Sequence, residues 1–333
     1  MFIDTHGHVS FQAFKDDADA VLKRALQNNI WVVMPGTQYE TSRRAVEIAE
    51  RYGGDPPASL REPATTSLRD VGGRSVAGGV YAAIGLHPIH LGEKRHVDEL
   101  ELQSELPAPH RGSSEARFSG AGFETKAEEF EYEKYKTLGQ SKKVVAIGEC
   151  GLDYYYEPKN KEKRQAQRLK QKTALALQLK LAGELHLPII LHCRKAHEDL
   201  LEFLKSYKLQ AKKLNGVVHC YTGDLKQAEQ FYNLGLYFGF NGLIFKDVPA
   251  LPNPEEIIAS IPLDRIVLET DSPYLTPPQT RGVSDTPRDA FTRNEPLFVR
   301  YVAEEIARIK RISVEEVASA TTQNAKTLFG LIT

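Results

Sequence analysis

The chain has 333 residues, of which 41% are hydrophobic, 26% charged and 9% aromatic, a composition typical of globular proteins. Its 43 Lys and Arg residues nearly balance its 44 Asp and Glu residues, so no strongly basic groove is implied, and a polyanionic partner would have to be held by local charge or by metal ions. The 3 cysteines, the lack of a signal-peptide pattern and the lack of a membrane-spanning apolar run predict a cytoplasmic protein with no disulfide scaffold and no membrane partner.

Short runs of strand-forming residues recur along the chain, and helical patterns separate them. The runs predicted as strands are Phe2–Thr5, Trp31–Met34, Val80–Gly85, Val144–Gly148, Pro188–Leu191, Gly216–Val218, Leu236–Phe240 and Arg265–Glu269. The segments predicted as helices are Asp17–Gln27, Glu40–Arg51, Lys161–Glu184, Ala196–Tyr207, Leu225–Leu234 and Pro254–Ser260. Strands that alternate with helices indicate a parallel sheet, and eight such units predict an α/β fold of the (β/α)8 TIM-barrel type. An open doubly wound sheet is the structural alternative.

Three stretches interrupt this alternation, and we expect them to be insertions in one barrel domain that spans residues 1–333. Residues 53–79, in the second crossover, are rich in Gly, Pro, Ser and Arg and predict a mobile loop. Residues 101–143, in the third crossover, begin in the same way and become Glu- and Lys-rich over Thr125–Lys136, which is compatible with a surface helix. A smaller excursion spans Val283–Thr292.

Side chains that can bind metals close several of the predicted strands. His6 and His8 stand two residues apart at the end of the first strand, so both should face the barrel interior. Later strands end in further candidates, namely Glu149, His192, His219 and Asp271. The C-terminal strand ends of a barrel meet at one mouth, where its active site lies. Four imidazoles and two carboxylates exceed the needs of one tetrahedral zinc and suit two divalent ions, whether Mg, Mn or Zn.

Three further residues are predicted to contact substrate. His87 ends the third strand and is a candidate contact for a phosphate, although a hydrogen bond within its loop is an equal alternative. Arg194 shares the strand parity of His192 and would neutralise phosphate charge, unless it forms a surface salt bridge. For Asp153 as well, contact with substrate and a surface salt bridge are the two alternatives. The consecutive tyrosines 154–156 are candidates for stacking on nucleobases, or for packing under a loop.

Several motifs together resemble one known family. They are FIDTHGH at Phe2–His8, GLHP at Gly85–Pro88, GECGLDYY at Gly148–Tyr155, LHCR at Leu191–Arg194, VHCY at Val218–Tyr221, ETDSPYL at Glu269–Leu275, RNEP at Arg293–Pro296 and TQNAKTLFGL at Thr322–Leu331. The chain thereby resembles the TatD-type metal-dependent deoxyribonucleases of the amidohydrolase superfamily, from end to end except for the insertions. Unlike the family pattern, Val283–Thr292 separates Pro277–Gly282 from RNEP, which leaves the inherited substrate preference open.

The resemblance implies a ligand set, a reaction and a substrate. One ion would be held by His6, His8, Glu149 and Asp271, and the other by Glu149, His192 and His219. Glu149 would then be the bridge, and Asp271 would take the proton of the attacking water. The implied substrate is DNA, single-stranded or at duplex ends, cleaved exonucleolytically by two-metal activation of water, with no obligate protein partner evident.

Two other functions remain open from the residues alone. The same ligands could serve a carbonyl hydrolase, such as an aminoacyl-tRNA deacylase or a cyclic amidohydrolase. A non-catalytic binding scaffold with a metal-stabilised barrel is the second alternative, and the complete set of ligands argues against it.

Overall fold

Eight parallel strands close into a barrel in the computed structural model, which describes residues 1–52, 79–92, 95–98, 122–125, 128–211, 214–280 and 293–331. The barrel strands are β1 (Phe2–Asp4), β2 (Ile30–Pro35), β3 (Val80–Ile84), β6 (Val144–Asp153), β7 (Ile189–Arg194), β8 (Gly216–Val218), β9 (Tyr237–Phe240) and β10 (Ile266–Leu268). Their order around the barrel is β1-β10-β9-β8-β7-β6-β3-β2. The predicted TIM barrel is confirmed, and the open sheet is excluded because β1 pairs with both β2 and β10.

Helices follow the strands and form the outer layer. They are α1 (Ala18–Gln27), α2 (Tyr39–Arg51), α3 (Tyr132–Leu138), α4 (Lys161–Leu185), α5 (His197–Ala211), α6 (Leu225–Asn233), α7 (Pro254–Ser260), α8 (Val299–Lys310) and α9 (Val314–Phe329). Side-chain caps explain several starts: the Asn160 amide oxygen accepts a hydrogen bond from the Lys163 N–H, and Asp224 and Ser313 form capping boxes. None of the described helices is long and apolar enough to cross a bilayer.

The apolar residues of the strands form two separate layers. The larger layer lies between the strands and the helices, as period-2 alternation requires. The smaller layer fills the inside of the barrel and includes Ile3, Tyr81 and Ile190 together with Leu328 and Phe329 of α9. Helix α9 therefore closes the N-terminal end of the barrel, which leaves the C-terminal end as the open mouth.

Where the structure describes the insertions, their secondary structure differs from the predictions. An antiparallel hairpin, β4 (Arg95–Asp98) with β5 (Gly122–Thr125), lies in the third crossover, where no strand was predicted. The surface helix expected within Thr125–Lys136 is the shorter α3, which starts at Tyr132. Residues 53–78 and 283–292 lie outside the described residues, so the predicted mobile loop stays a prediction.

Candidate active site

The barrel mouth brings together all six side chains that the strand ends predicted as ligands. His6 and His8 lie just beyond β1, Glu149 and His192 lie within β6 and β7, and His219 and Asp271 lie just beyond β8 and β10. The cluster is largely closed to solvent: the side chains of His192 and Asp271 are each 17% exposed and the others are more deeply buried. A small opening at these two residues therefore connects the site to solvent.

Glu149 owes its position to an irregularity in β6. Ile147 pairs with Ile189 and Cys150 pairs with Leu191, so two residues of β6 stand opposite the single residue Ile190. This bulge displaces the strand locally and turns the Glu149 side chain into the mouth. Gly148 permits it, because its φ is +152° and a Cβ there would lie 2.6 Å from the Cβ of Ile190.

The carboxylate of Glu149 lies at the centre of the cluster, and its two oxygens face different histidines. Oε2 lies 3.2 Å from Nε2 of His6 and 3.7 Å from Nε2 of His8. Oε1 lies 2.9 Å from Nδ1 of His192 and 3.8 Å from Nε2 of His219. One carboxylate thus serves two groups of ring nitrogens, as a bridging ligand must.

Asp271 completes the group around His6 and His8. Its Oδ1 lies 3.4 Å from Nε2 of His8 and 3.9 Å from Nε2 of His6. Its backbone N–H donates to the His6 carbonyl over 2.8 Å, which ties the end of β10 to the segment after β1. His6, His8 and Asp271 are close enough to bind one ion together.

The second group contains His192 and two neighbours that were predicted as substrate contacts. Nε2 of His192 lies 3.0 Å from Oδ2 of Asp153, a buried carboxylate that therefore orients this ring. Nε2 of His87 lies 3.4 Å from Oε1 of Glu149. Nδ1 of His87 accepts the Ile89 N–H over 3.1 Å, so neutral His87 carries its proton on Nε2 and points a donor, rather than a lone pair, into the site.

His219 and His8 are oriented as metal ligands usually are. Nδ1 of His219 lies 2.8 Å from Oε2 of Glu269, and Nδ1 of His8 lies 3.0 Å from the carbonyl of Pro35. Each outward nitrogen can donate its proton to that oxygen, which leaves the lone pair of the inward Nε2 available. His219 also stacks on His6, with ring centroids 3.5 Å apart, and so lies between the two groups.

The charges of the site indicate that a cation belongs there. Burial alone would raise the pKa of Glu149, but the neighbouring His87 and His6 hold it well below its ordinary value. Burial likewise opposes ionisation of Asp271, whose pKa is nevertheless lowered by the hydrogen bond from His8 and by the charge of His219. Among the described residues, histidine rings are the only basic groups within 4 Å of these two carboxylates. Such a donor set, anionic and rich in imidazole, fits divalent metal ions.

Two supporting acids were missed by the sequence reasoning. Asp4 is fully buried and accepts hydrogen bonds from the His6 N–H, the Thr270 N–H and the Thr270 hydroxyl. Burial raises the pKa of Asp4 to about 7. Glu269 orients His219 and fits only because position 239 is glycine, where a Cβ would lie 1.9 Å from Oε1 of Glu269. Asp4 lies in the motif FIDTHGH and Glu269 in the motif ETDSPYL. The available signal in the sequence was therefore an acid close to a predicted ligand within the same motif.

Arg194 lies at the end of β7 and is exposed, outside the buried cluster. Its guanidinium carbon lies 3.6 Å from the centroid of the Tyr155 ring. The predicted surface salt bridge is not among the ion pairs of the described residues, so Arg194 stays a candidate for phosphate.

Comparisons with known proteins identify the family of this chain. The family described as TatD related DNase matches residues 67–330. YabD of Bacillus subtilis, named an uncharacterized metal-dependent hydrolase, is 33% identical over 331 residues and is aligned over 99% of both chains. The crystal structure of YJJV, a TatD homologue from Escherichia coli, superposes with a TM-score of 0.68 at 29% identity, covering 99% of this chain and 98% of that one.

A third relative has a more specific name. The 3'-5' ssDNA/RNA exonuclease TatD of Erwinia amylovora is 39% identical over 196 residues, which cover 59% of this chain and 70% of the relative. The family match covers most of the chain, and the full-length relative is named a metal-dependent hydrolase. The chain therefore belongs to the TatD family and is a metal-dependent hydrolase.

Proposed function

We propose that this chain is a deoxyribonuclease that cleaves phosphodiester bonds from a free end of DNA with two divalent cations. The observation that carries the proposal is the placement of Glu149, whose two carboxylate oxygens face two different groups of histidine nitrogens. The name of the Erwinia amylovora relative supports a nucleic-acid substrate.

The ligands divide around Glu149. His6, His8 and Asp271 would hold one ion, and His192 and His219 the other, with Glu149 shared between them. His87 is set apart because its Nε2 carries a proton. When bound, a pair of divalent ions makes water a nucleophile near neutral pH and neutralises charge on a phosphate. Mg, Mn and Zn all suit the mixture of nitrogen and oxygen donors.

The remaining steps fall to side chains around the ions. Asp271 is ionised near neutral pH because its pKa lies below its ordinary value, and its partial exposure lets the attacking water reach it. It accepts the proton of that water. His87 donates its Nε2–H to a phosphate oxygen, and Arg194 contributes positive charge at the rim. Asp153 acts through His192, which it holds in place.

The test is hydrolysis of a labelled substrate by the purified protein in the presence of Mg, Mn or Zn. Single-stranded DNA labelled at either end, duplex DNA and RNA would be compared with a misacylated tRNA and a cyclic amide. We expect single nucleotides to be released from DNA and no turnover by a Glu149→Gln variant. Cleavage of the aminoacyl ester or the cyclic amide with intact DNA would overturn the proposal in favour of a carbonyl hydrolase.

A further inference from the structure

The mouth has an exposed aromatic and cationic wall on one side, formed where β6 and β7 end. Tyr155, Tyr156 and Arg194 form this wall, which we call the tyrosine–arginine platform. The two tyrosines are 45% and 50% exposed, although tyrosine is usually more buried. Tyr154, by contrast, is 7% exposed and donates its hydroxyl proton to Asp199, so burial, the alternative for this run of tyrosines, describes Tyr154.

Contacts link the three members of the platform to one another and to the backbone around them. The guanidinium of Arg194 lies over the Tyr155 ring, and the Tyr155 and Tyr156 rings meet edge to face with centroids 4.7 Å apart. The backbone is also held, because the Tyr154 N–H donates to the Arg194 carbonyl and the Tyr155 N–H donates to Oδ1 of Asp153. These side chains are therefore preorganised for a ligand.

The same hydrogen bonds place the platform beside the reacting centre. Oδ1 of Asp153 accepts a hydrogen bond from the Tyr155 N–H, and Oδ2 of the same carboxylate lies 3.0 Å from Nε2 of His192. Arg194 follows His192 by two residues on the same strand. A nucleic-acid strand whose scissile phosphate lies at the cluster of predicted ligands would therefore place its adjoining nucleotide over the tyrosine–arginine platform.

The charge of Arg194 is available to a ligand. Arg168 also stacks on a tyrosine, Tyr154, but it is paired with the carboxylate of Glu157 through Nη2 over 2.9 Å. Arg194 has no carboxylate partner among the ion pairs of the described residues. Stacking covers a face of the guanidinium and leaves the N–H donors at its edge free for a phosphate.

We infer that the tyrosine–arginine platform binds the nucleotide next to the scissile phosphate in a single-stranded nucleic acid, which rests on the proposed nuclease function. Tyr156 stacks on the base of that nucleotide, and Arg194 donates edge-on to its phosphate. The bases of a duplex are already stacked on both faces, so the platform selects a single strand or a frayed end. Stacking on an aromatic ring tolerates any base, so little sequence preference is expected.

A first experiment isolates the stacking contact. We would measure kcat/KM of the metal-loaded enzyme for oligothymidylate and for a matched oligomer that lacks the base next to the cleaved bond. The parent should prefer the intact oligomer by about five- to a hundredfold, the range for one stacked base. In Tyr156→Leu this preference should collapse to within about twofold. Tyr232→Leu is the matched control, because Tyr232 is also exposed and near an arginine, Arg265, but lies on α6.

A second experiment isolates the phosphate contact. In Arg194→Met, the slope of log(kcat/KM) against log salt should become shallower by about 0.7, the value for one phosphate contact on a single strand. Arg311→Met, at the end of α8, should keep the parental slope. The platform alone would be overturned if both variants still cleave DNA, Tyr156→Leu keeps the parental base preference and Arg194→Met keeps the parental salt slope. Failure of the parent to cleave any nucleic acid would overturn the function and the platform with it.

Discussion

The two ends of the barrel bury opposite kinds of side chain. At the N-terminal end, Ile3, Tyr81 and Val217 pack inside the strands against Leu328 and Phe329 of α9. At the C-terminal end, the same strands surround histidines and carboxylates, with Glu149 4% exposed at their centre. Burying apolar surface stabilises the fold, whereas burying an ionised carboxylate costs free energy unless it is compensated.

Along each strand, residues at the closed end should therefore determine stability, and residues at the mouth should determine metal binding and turnover. The charges at the mouth are compensated by one another and by the ions we propose, so changes there should alter metal binding and turnover. The layer at the closed end consists of hydrophobic side chains, and changes there should alter stability. The four substitutions below test this separation, from the largest expected effect to the smallest.

Glu149→Gln should abolish activity, with a loss of about 10⁴-fold or more, because an amide cannot bridge two divalent ions as a carboxylate does. The barrel should keep its fold. Elemental analysis and thermal unfolding of the purified variant decide the outcome. Glu255→Gln, the same change at an exposed position on α7, should keep parental activity and metal content. Two tightly held metals per chain in Glu149→Gln would disprove the bridging assignment.

Asp271→Asn should lower kcat by about 10²–10⁴, the usual contribution of a positioned general base. The variant should still bind substrate and at least one metal, because Glu149, His192 and His219 remain. The measurement is kcat with saturating metal. A rate within about tenfold of the parent would show that another group accepts the proton.

Leu328→Ala tests the closed end. Leu328 is 2% exposed in the apolar layer inside the barrel, and its truncation should lower the free energy of unfolding by about 2–5 kcal/mol. Denaturant unfolding measures this loss. At a temperature where the variant is folded, its kcat should match that of the parent, so a reduced kcat in the folded variant would contradict the separation.

Glu269→Gln tests a residue that orients a predicted metal ligand, His219, and is not itself a predicted ligand. Oε2 of Glu269 pairs with Nδ1 of His219 and accepts the Cys220 N–H, and an amide holds the imidazole less firmly. We expect metal affinity to fall by about 10–100-fold. Competition with a coloured chelator measures the affinity. Parental affinity would mean that the stacking of His219 on His6 is sufficient to orient the ring.

The sequence by itself determined the barrel and the residues at its mouth. All eight predicted barrel strands are present, because their apolar runs are local signals that do not depend on distant partners. Parallel strands all point the same way, so side chains that end them must meet at one face. His6, His8, His192 and Asp271 could therefore be placed together without a structure, although their role as ligands stays a prediction.

Only the tertiary structure decided how those residues are arranged. The bulge that turns Glu149 inward exists because β6 pairs with β7, and the sequence alone predicted that the strand ended at Gly148. The hairpin β4–β5 was missed because its strands are separated by a long segment. Asp153 and Glu269 orient His192 and His219 through contacts between different strands. Periodicity reports which face a side chain takes on its own strand, whereas such contacts depend on register and on packing across the barrel.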